Sequence, residues 1–416
     1  MHLTDGERAV LDGQAGDAAS LAMSVLRDIG AVFGAKRLIS VSQVHIDTTL
    51  YMVDAGVDFA EKMADMGGQF TVPTSLNPSA IDLIRWKEYR TPPDLLENSR
   101  WIEAAYLRMG AAPTWTCTPY QHGLIPRFGE QIAWGESNAI AFANSVLGAR
   151  TNRYADLMDI CAAIIGKVPE FGLHLTENRR AEILIQLIDV PEKCFENTAI
   201  YPVLGYLLGE IAGDTVAAID GIPNRIPVSG LKAFSAAAAS SGAVGLFHMI
   251  CITPEAQTTE MCFQDRPPKQ VVDICFHQIQ DAAERLSSAA VPAVDLIALG
   301  CPHYSFPEFR DLIRLLDGRR IGGSVEFWVF TSRSAYAWIR DCGMLKRLTD
   351  SGVTVFTDGC PLQYPGQSWK FSAAMTDSAK FASYCFSQTG LACVFGSLSD
   401  CVETAVSGGR VRRSIL

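Results

Sequence analysis

At 416 residues the chain exceeds what one hydrophobic core ordinarily organises, so two to three lobes are expected. A net charge of -10 argues against a nucleic-acid surface, because neutralising phosphates takes basic patches. The polar, acidic residues 1–10 show no secretory pattern, so the 12 cysteines are expected to be reduced thiols in a soluble cytoplasmic protein.

Residues 3–33 read as two helices, opened by a Thr4–Glu7 capping box and carrying Leu21, Val25 and Ile29 at helical spacing. Residues 37–44 read as a short strand that runs out through QVHIDTTLY, residues 43–51. There His45 and Asp47 are in position to touch a ligand, with Asp47 as a helix cap the alternative. Residues 54–66 are predicted helical and 69–72 a strand, leading to a loop with Thr74, Ser75, Asn77 and Pro78. That loop suits a small polar ligand, or is a turn ahead of a helix over 79–86. A helix over 99–109, capped by Asn98, precedes a loop that holds Cys117.

Between 131 and 153, Glu136, Ser137 and Asn138 are placed to cap a helix over 139–146. Arg150, Asn152 and Arg153 are then left over, available to bind a carboxylate. A mostly helical stretch is expected up to Gly213. Residues 233–253 contain no Asp, Glu, Lys or Arg, long enough to span a membrane. Their serines, glycines and His248 favour a buried helix over 236–240 running into a buried strand over 243–250.

The most informative stretch is 294–362. Two apolar runs, 294–299 and 353–357, each lead into Gly-Cys-Pro, holding Cys301 and Cys360. With a helix over 306–316 and a strand over 325–330 between them, the pattern is that of a parallel sheet with crossover helices. Loops beyond the carboxyl ends of such strands build the ligand crevice, so both thiols are expected on one rim. There, with Cys117, they are expected to hold one iron site. No Cys-x-x-Cys pair occurs, which removes zinc ribbons and ferredoxin-type loops, and the other nine cysteines read as small hydrophobes. His303 is open as a ligand, an acid or a surface histidine, with a supporting place beside the metal favoured. After an irregular loop over 363–371, Lys380 stands at a helix start, where anions bind. A final helix over 396–405 and a basic tail close the chain. Three cysteines on a cluster leave one iron free for a substrate hydroxyl, and the natural reaction is dehydration of a small hydroxy acid.

The segments 43–51, 68–78, 113–120, 133–153, 247–256, 300–304 and 358–380 resemble the large-subunit motifs of the aconitase X family, most specifically AWGESNAIAFANSVLGARTNR at 133–153. The resemblance implies an α/β fold, a three-lobed aconitase-like core of parallel sheets with crossover helices. The expected lobes are 1–155, 156–290 and 291–416. It also implies an iron centre on Cys117, Cys301 and Cys360, as a [2Fe-2S] or [4Fe-4S] cluster or mononuclear iron. Thr48, Thr49, Asn77, Pro78, Glu136, Ser137 and Lys380 would face the substrate; Thr48-Thr49 departs from the glycine that relatives often carry. Arg150 is a further candidate for substrate binding, and Glu136, Ser137, His303 and Lys380 are the candidate catalytic residues. No swivel domain is read after Ala405, so a separate small subunit is the expected partner. Within the family, cis-3-hydroxy-L-proline dehydratase is favoured over phosphomevalonate dehydratase, because Thr, Ser and Asn suit a compact zwitterion better than a phosphate. A metal-binding scaffold subunit without turnover is the reading from another class. A nicotinamide enzyme is disfavoured, because no Gly-x-Gly-x-x-Gly follows a strand.

Overall fold

The computed structural model describes every residue except 90, 289, 324, 364–370, 415 and 416. The first lobe begins with helices Asp5–Leu11 and Asp17–Val32, and the capping box is formed: Thr4 and Glu7 each accept the other's backbone N–H. Its strands are β1 (Leu38–Ser40), β2 (Val44–Ile46), β3 (Thr74–Leu76), β4 (Ala133–Trp134) and β5 (Lys167–Pro169). β3, β2 and β4 form a parallel sheet in that order, and β5 pairs antiparallel with β1. Every residue of β2 and β3 is buried, the polar ones included: His45 and Ser75 meet across the two strands, Nδ1 to Oγ at 2.7 Å.

Three expectations fail here. Residues 69–72 are not a strand, because Phe70 and Thr71 donate to Met109 and Ala163 at helix ends and the ladder starts only at Thr74. No α-helix forms over 79–86: Ser79 bridges to Gly359 instead, and Asp82 ties the turn by accepting from Ile84 and Arg85. Asn98 caps nothing, because the helix already starts at Pro93, whose fixed φ suits the first turn.

The second lobe has β6 (Ile183–Ile188), β7 (Ala217–Asp220), β8 (Phe247–Met249) and β9 (Gln270–Cys275), all parallel in the order β8-β7-β6-β9. β6, central to this sheet, lies within the stretch expected to be helical. The uncharged segment holds the end of helix Val228–Ser241 and then β8. That helix lies against Ile200–Ala212 almost backbone to backbone. A Cβ on Gly205 would come within 2.3 Å of the Phe234 carbonyl oxygen, and one on Gly209 within 2.7 Å of Ala238's. Close helix contact, not a bilayer, explains the small uncharged residues. No described helix is long and apolar enough to cross a membrane.

The third lobe contains β10 (Leu296–Tyr304), β11 (Glu326–Thr331), β12 (Val353–Thr357), β13 (Ala373–Thr376) and β14 (Ala392–Phe395). They form one parallel sheet, β12-β11-β10-β13-β14. The three expected strands and the helix Phe306–Leu316 are present, and the short β13 and β14 extend the sheet. One sheet face belongs to the same apolar cluster as the second lobe, with Leu296, Ala298 and Phe330 joining Leu204 and Phe234. The first lobe docks on the third where Ser79 donates to Asp358 O at 2.7 Å and accepts from Cys360 N at 2.9 Å.

Candidate active site

Gly300 interrupts β10 where its ladder with β11 shifts register after Leu299; its φ is +94°, and a Cβ there would stand 2.2 Å from the Phe330 carbonyl oxygen. Only glycine lets β10 turn this tightly against β11. In the second loop Asp358 takes the left-handed conformation at φ 63°, held by a two-bond pairing of its carboxylate with Arg333 at 3.0 and 2.7 Å. Both turns release their cysteines at the carboxyl rim of one parallel sheet, as expected.

His303 joins the three cysteine loops. Its backbone N–H donates to Cys117 Sγ at 3.3 Å. Its Nε2 must carry the proton, because it donates to the Gly359 carbonyl at 2.9 Å, and Nδ1 then accepts from the Thr116 hydroxyl at 3.2 Å. Burial pushes this fully enclosed ring down to about 3, so it is neutral. With both nitrogens committed, His303 positions the loops and has no nitrogen free to act as an acid or a ligand.

Cys117, Cys301 and Cys360 border one cavity of about 230 Å³, together with Asn77, Pro78, Glu136, Ser137 and Lys380. Burial raises all three thiols, Cys301 to about 12, and the Glu136 charge adds to this while Lys380 opposes it. They therefore stay protonated unless a bound cation claims their thiolates. Among the described residues no three His, Cys, Asp or Glu side chains are grouped tightly around a point where a metal ion could sit. The fit to an iron centre is thus one of donor chemistry: three thiols border one cavity.

Glu136 does two jobs. Oε2 caps helix Ser137–Phe142 by accepting from Ala139 N at 2.7 Å, while Oε1 pairs with Lys380 Nζ at 2.5 Å. Burial opposes both charges, yet each partner outweighs it, so the carboxyl is held below and the ammonium above its ordinary value. Lys380 also donates to Ser137 at 3.2 Å. It sits in the first turn of helix Ala379–Thr389, whose cap Ser378 accepts from Phe381 N and donates to the Cys301 carbonyl. Tyr384 and Gln388 line the cavity one and two turns later on the same face, as does Asp47 after β2. Their four-residue spacing from Lys380 was the sequence signal for Tyr384 and Gln388.

Three expected substrate contacts stand outside the cavity. Thr49 is buried and donates to the Pro78 carbonyl at 2.8 Å, holding the loop in place from beneath. Thr48 accepts from Leu157 N at 3.2 Å. Arg150 donates to His174 O and Thr176 Oγ1 at 3.1 and 2.9 Å, and its neighbours Asn152 and Arg153 likewise bind backbone carbonyls. This cluster stitches the chain instead of binding a ligand. Among the other nine cysteines, Cys251, Cys275 and Cys342 are exposed, contrary to expectation. Most of the loop expected over 363–371 lies outside the described residues.

Family models for the aconitase X first, second and third domains match residues 1–177, 181–284 and 294–407. The chain belongs to the aconitase X family. It is 42% identical to the cis-3-hydroxy-L-proline dehydratase of Pseudomonas aeruginosa over 97% of this chain and 69% of that one. It is 38% identical to the same-named enzyme of Hypocrea jecorina over 98% and 69%. It is 34% identical to the phosphomevalonate dehydratase large subunit of Methanosarcina mazei over 100% and 99%. The solved holo-form of Thermococcus kodakaraensis aconitase X superimposes with a TM-score of 0.87 at 30% identity, covering 97% of this chain and 100% of that one. The three-lobed α/β architecture is thus that of aconitase X.

Proposed function

We propose that this chain is a hydro-lyase that dehydrates cis-3-hydroxy-L-proline to Δ1-pyrroline-2-carboxylate as the large subunit of a two-chain enzyme. The observation that carries the substrate choice is the charge of the cavity. Among the described residues lining it, Lys380 is the one cation, and it is already paired with Glu136. A phosphate would want free cations, whereas a compact zwitterion can satisfy its own charges against Lys380, Glu136 and the amide of Asn77. The names of the two relatives at 42% and 38% identity support the same choice. Relatives named as large subunits support a separate small partner. For the lobes, a first border near 177–181 follows the family matches better than 155, since β5 at 167–169 pairs with β1, while a second border at 290 falls in the gap between the matches that end at 284 and begin at 294.

Cys117, Cys301 and Cys360 would hold the iron–sulfur centre, which when bound supplies a Lewis acid for the departing hydroxyl. The chain's own residues do the rest. Asn77, Ser137 and Lys380 orient the substrate, the Glu136–Lys380 pair keeps a fixed charge on the cavity wall, and His303 holds the cysteine loops in register. Proton loss from the α carbon and departure of the 3-hydroxyl yield an enamine that tautomerises to the product.

The test is turnover of cis-3-hydroxy-L-proline, followed by NMR, with the chain anaerobically reconstituted with iron and sulfide, alone and with its small partner. Product from the mixture, lost in Cys301→Ser and Cys360→Ser, is expected. Turnover of phosphomevalonate instead would overturn the substrate, full activity in either variant would sink the metal-site reading, and no turnover of either acid would leave a scaffold subunit.

A further inference from the structure

Among the described residues lining this cavity, Asp47 is the one acidic group that the mechanism above leaves without a task. It stands directly after β2, and its backbone N–H donates to Asp159 Oδ2 at 2.7 Å. Its Oδ1 accepts from the Asn77 amide, and the carboxyl lines the cavity. Behind Asn77 lies His45, fully buried, with Nδ1 on Ser75 Oγ at 2.7 Å. His45 Nε2 and Asn77 Oδ1 are both buried without a formed hydrogen bond, and Asn77 stands close enough to act on the ring. The Asn77 amide thus fixes how the Asp47 carboxyl is turned. Gly135 is part of the same device, since a Cβ there would stand 2.7 Å from Asp47 Cβ and 2.8 Å from Asp159 Oδ2.

We propose that Asp47 is the general acid of this site, donating its proton to the substrate hydroxyl that departs as water. The other candidates are spoken for. Glu136 is ionised against Lys380, Lys380 is bound to Glu136 and Ser137, and both nitrogens of His303 are engaged. Asp47, by contrast, is held well above the carboxylate range, first by burial and then by the charges of Glu136, Asp159 and Asp156, which together outweigh the opposing charge of Lys380. A carboxyl kept neutral beside a departing hydroxyl is what acid catalysis asks for.

The inference rests on the dehydratase reading, and the step balances within it. A base, expected on the small partner, takes the α proton, and the C–H electron pair becomes the new carbon–carbon double bond. The C–O bond breaks with its pair on oxygen, which takes the Asp47 proton and leaves as water. The carboxylate then regains a proton from solvent.

The experiment compares wild type and Asp47→Asn, loaded with iron and sulfide and assembled with the partner. Its readouts are substrate affinity by calorimetry, exchange of the α proton with heavy water by NMR, and dehydration rate. Asp47→Asn is expected to keep affinity and exchange within about threefold while dehydration falls by about 10²–10⁴. It should also eliminate chloride from cis-3-chloroproline at the wild-type rate, because chloride leaves without a proton. Dehydration within tenfold of wild type would overturn the role, as would parallel loss of exchange and of chloride elimination, which marks a structural residue. If the wild type binds and dehydrates only phosphomevalonate, the substrate reading falls, and the same comparison on that acid decides Asp47 separately.

Discussion

His303→Ala tests the idea that one neutral imidazole locks three cysteine loops. The substitution removes the bonds to Thr116 and Gly359, at 3.2 and 2.9 Å, from a ring with no solvent exposure. Two hydrogen bonds contribute about 1 kcal/mol each, and leaving the Gly359 carbonyl buried without a donor costs about 1–3 kcal/mol. The emptied ring volume adds to this. Since such terms do not add fully, a net loss of about 3–5 kcal/mol in the iron-free chain is expected. Urea unfolding of the iron-free protein measures it, and iron and sulfide counts after reconstitution report whether the loops still converge. A lower midpoint together with iron below half of wild type is expected. A change under about 1 kcal/mol with full iron content would refute the clamp, because the loops would then be held by their own strands.

Gly300→Ala should yield little folded protein: its Cβ meets the Phe330 carbonyl oxygen at 2.2 Å, on a backbone with φ of +94°. Circular dichroism melting checks it, and a wild-type curve would contradict the geometry. Asp159→Asn should change how stability depends on pH. Burial raises Asp159 from 3.8 to about 7, against donation from the Asp47 and Ile160 backbones. Between these values the folded chain keeps a proton that the unfolded chain has lost, so wild-type stability falls as pH rises through that window, by up to about 4 kcal/mol. Asparagine removes the fall, so the variant should gain on wild type between pH 4 and pH 8 in urea titrations. An unchanged gap at both ends would show that Asp159 ionises freely.

Local chemistry made part of this protein legible. The Thr4–Glu7 box, the helix Phe306–Leu316 and the strands leading to Cys301 and Cys360 are each specified within a few residues, by caps and by unbroken apolar runs. Gly-Cys-Pro repeated after two such runs located the thiol rim for the same reason. β13 and β14 escaped because short buried strands carry no periodic signature, and β6 because its sequence, ILIQLI, is apolar even where the strand is only partly buried. Thr48, Thr49 and Arg150 look like substrate groups when read as polar residues near a motif. Which way a polar side chain faces depends on what packs above it, and here backbone carbonyls and amides from elsewhere claimed all three. The converse holds for Asp47. Its residue type and place after a strand were visible, but its carboxylate neighbours arrive from Gly135–Glu136 and from Asp159, 112 residues away along the chain. Burial and electrostatics act through space, so the tertiary structure alone decides whether such a group holds its proton.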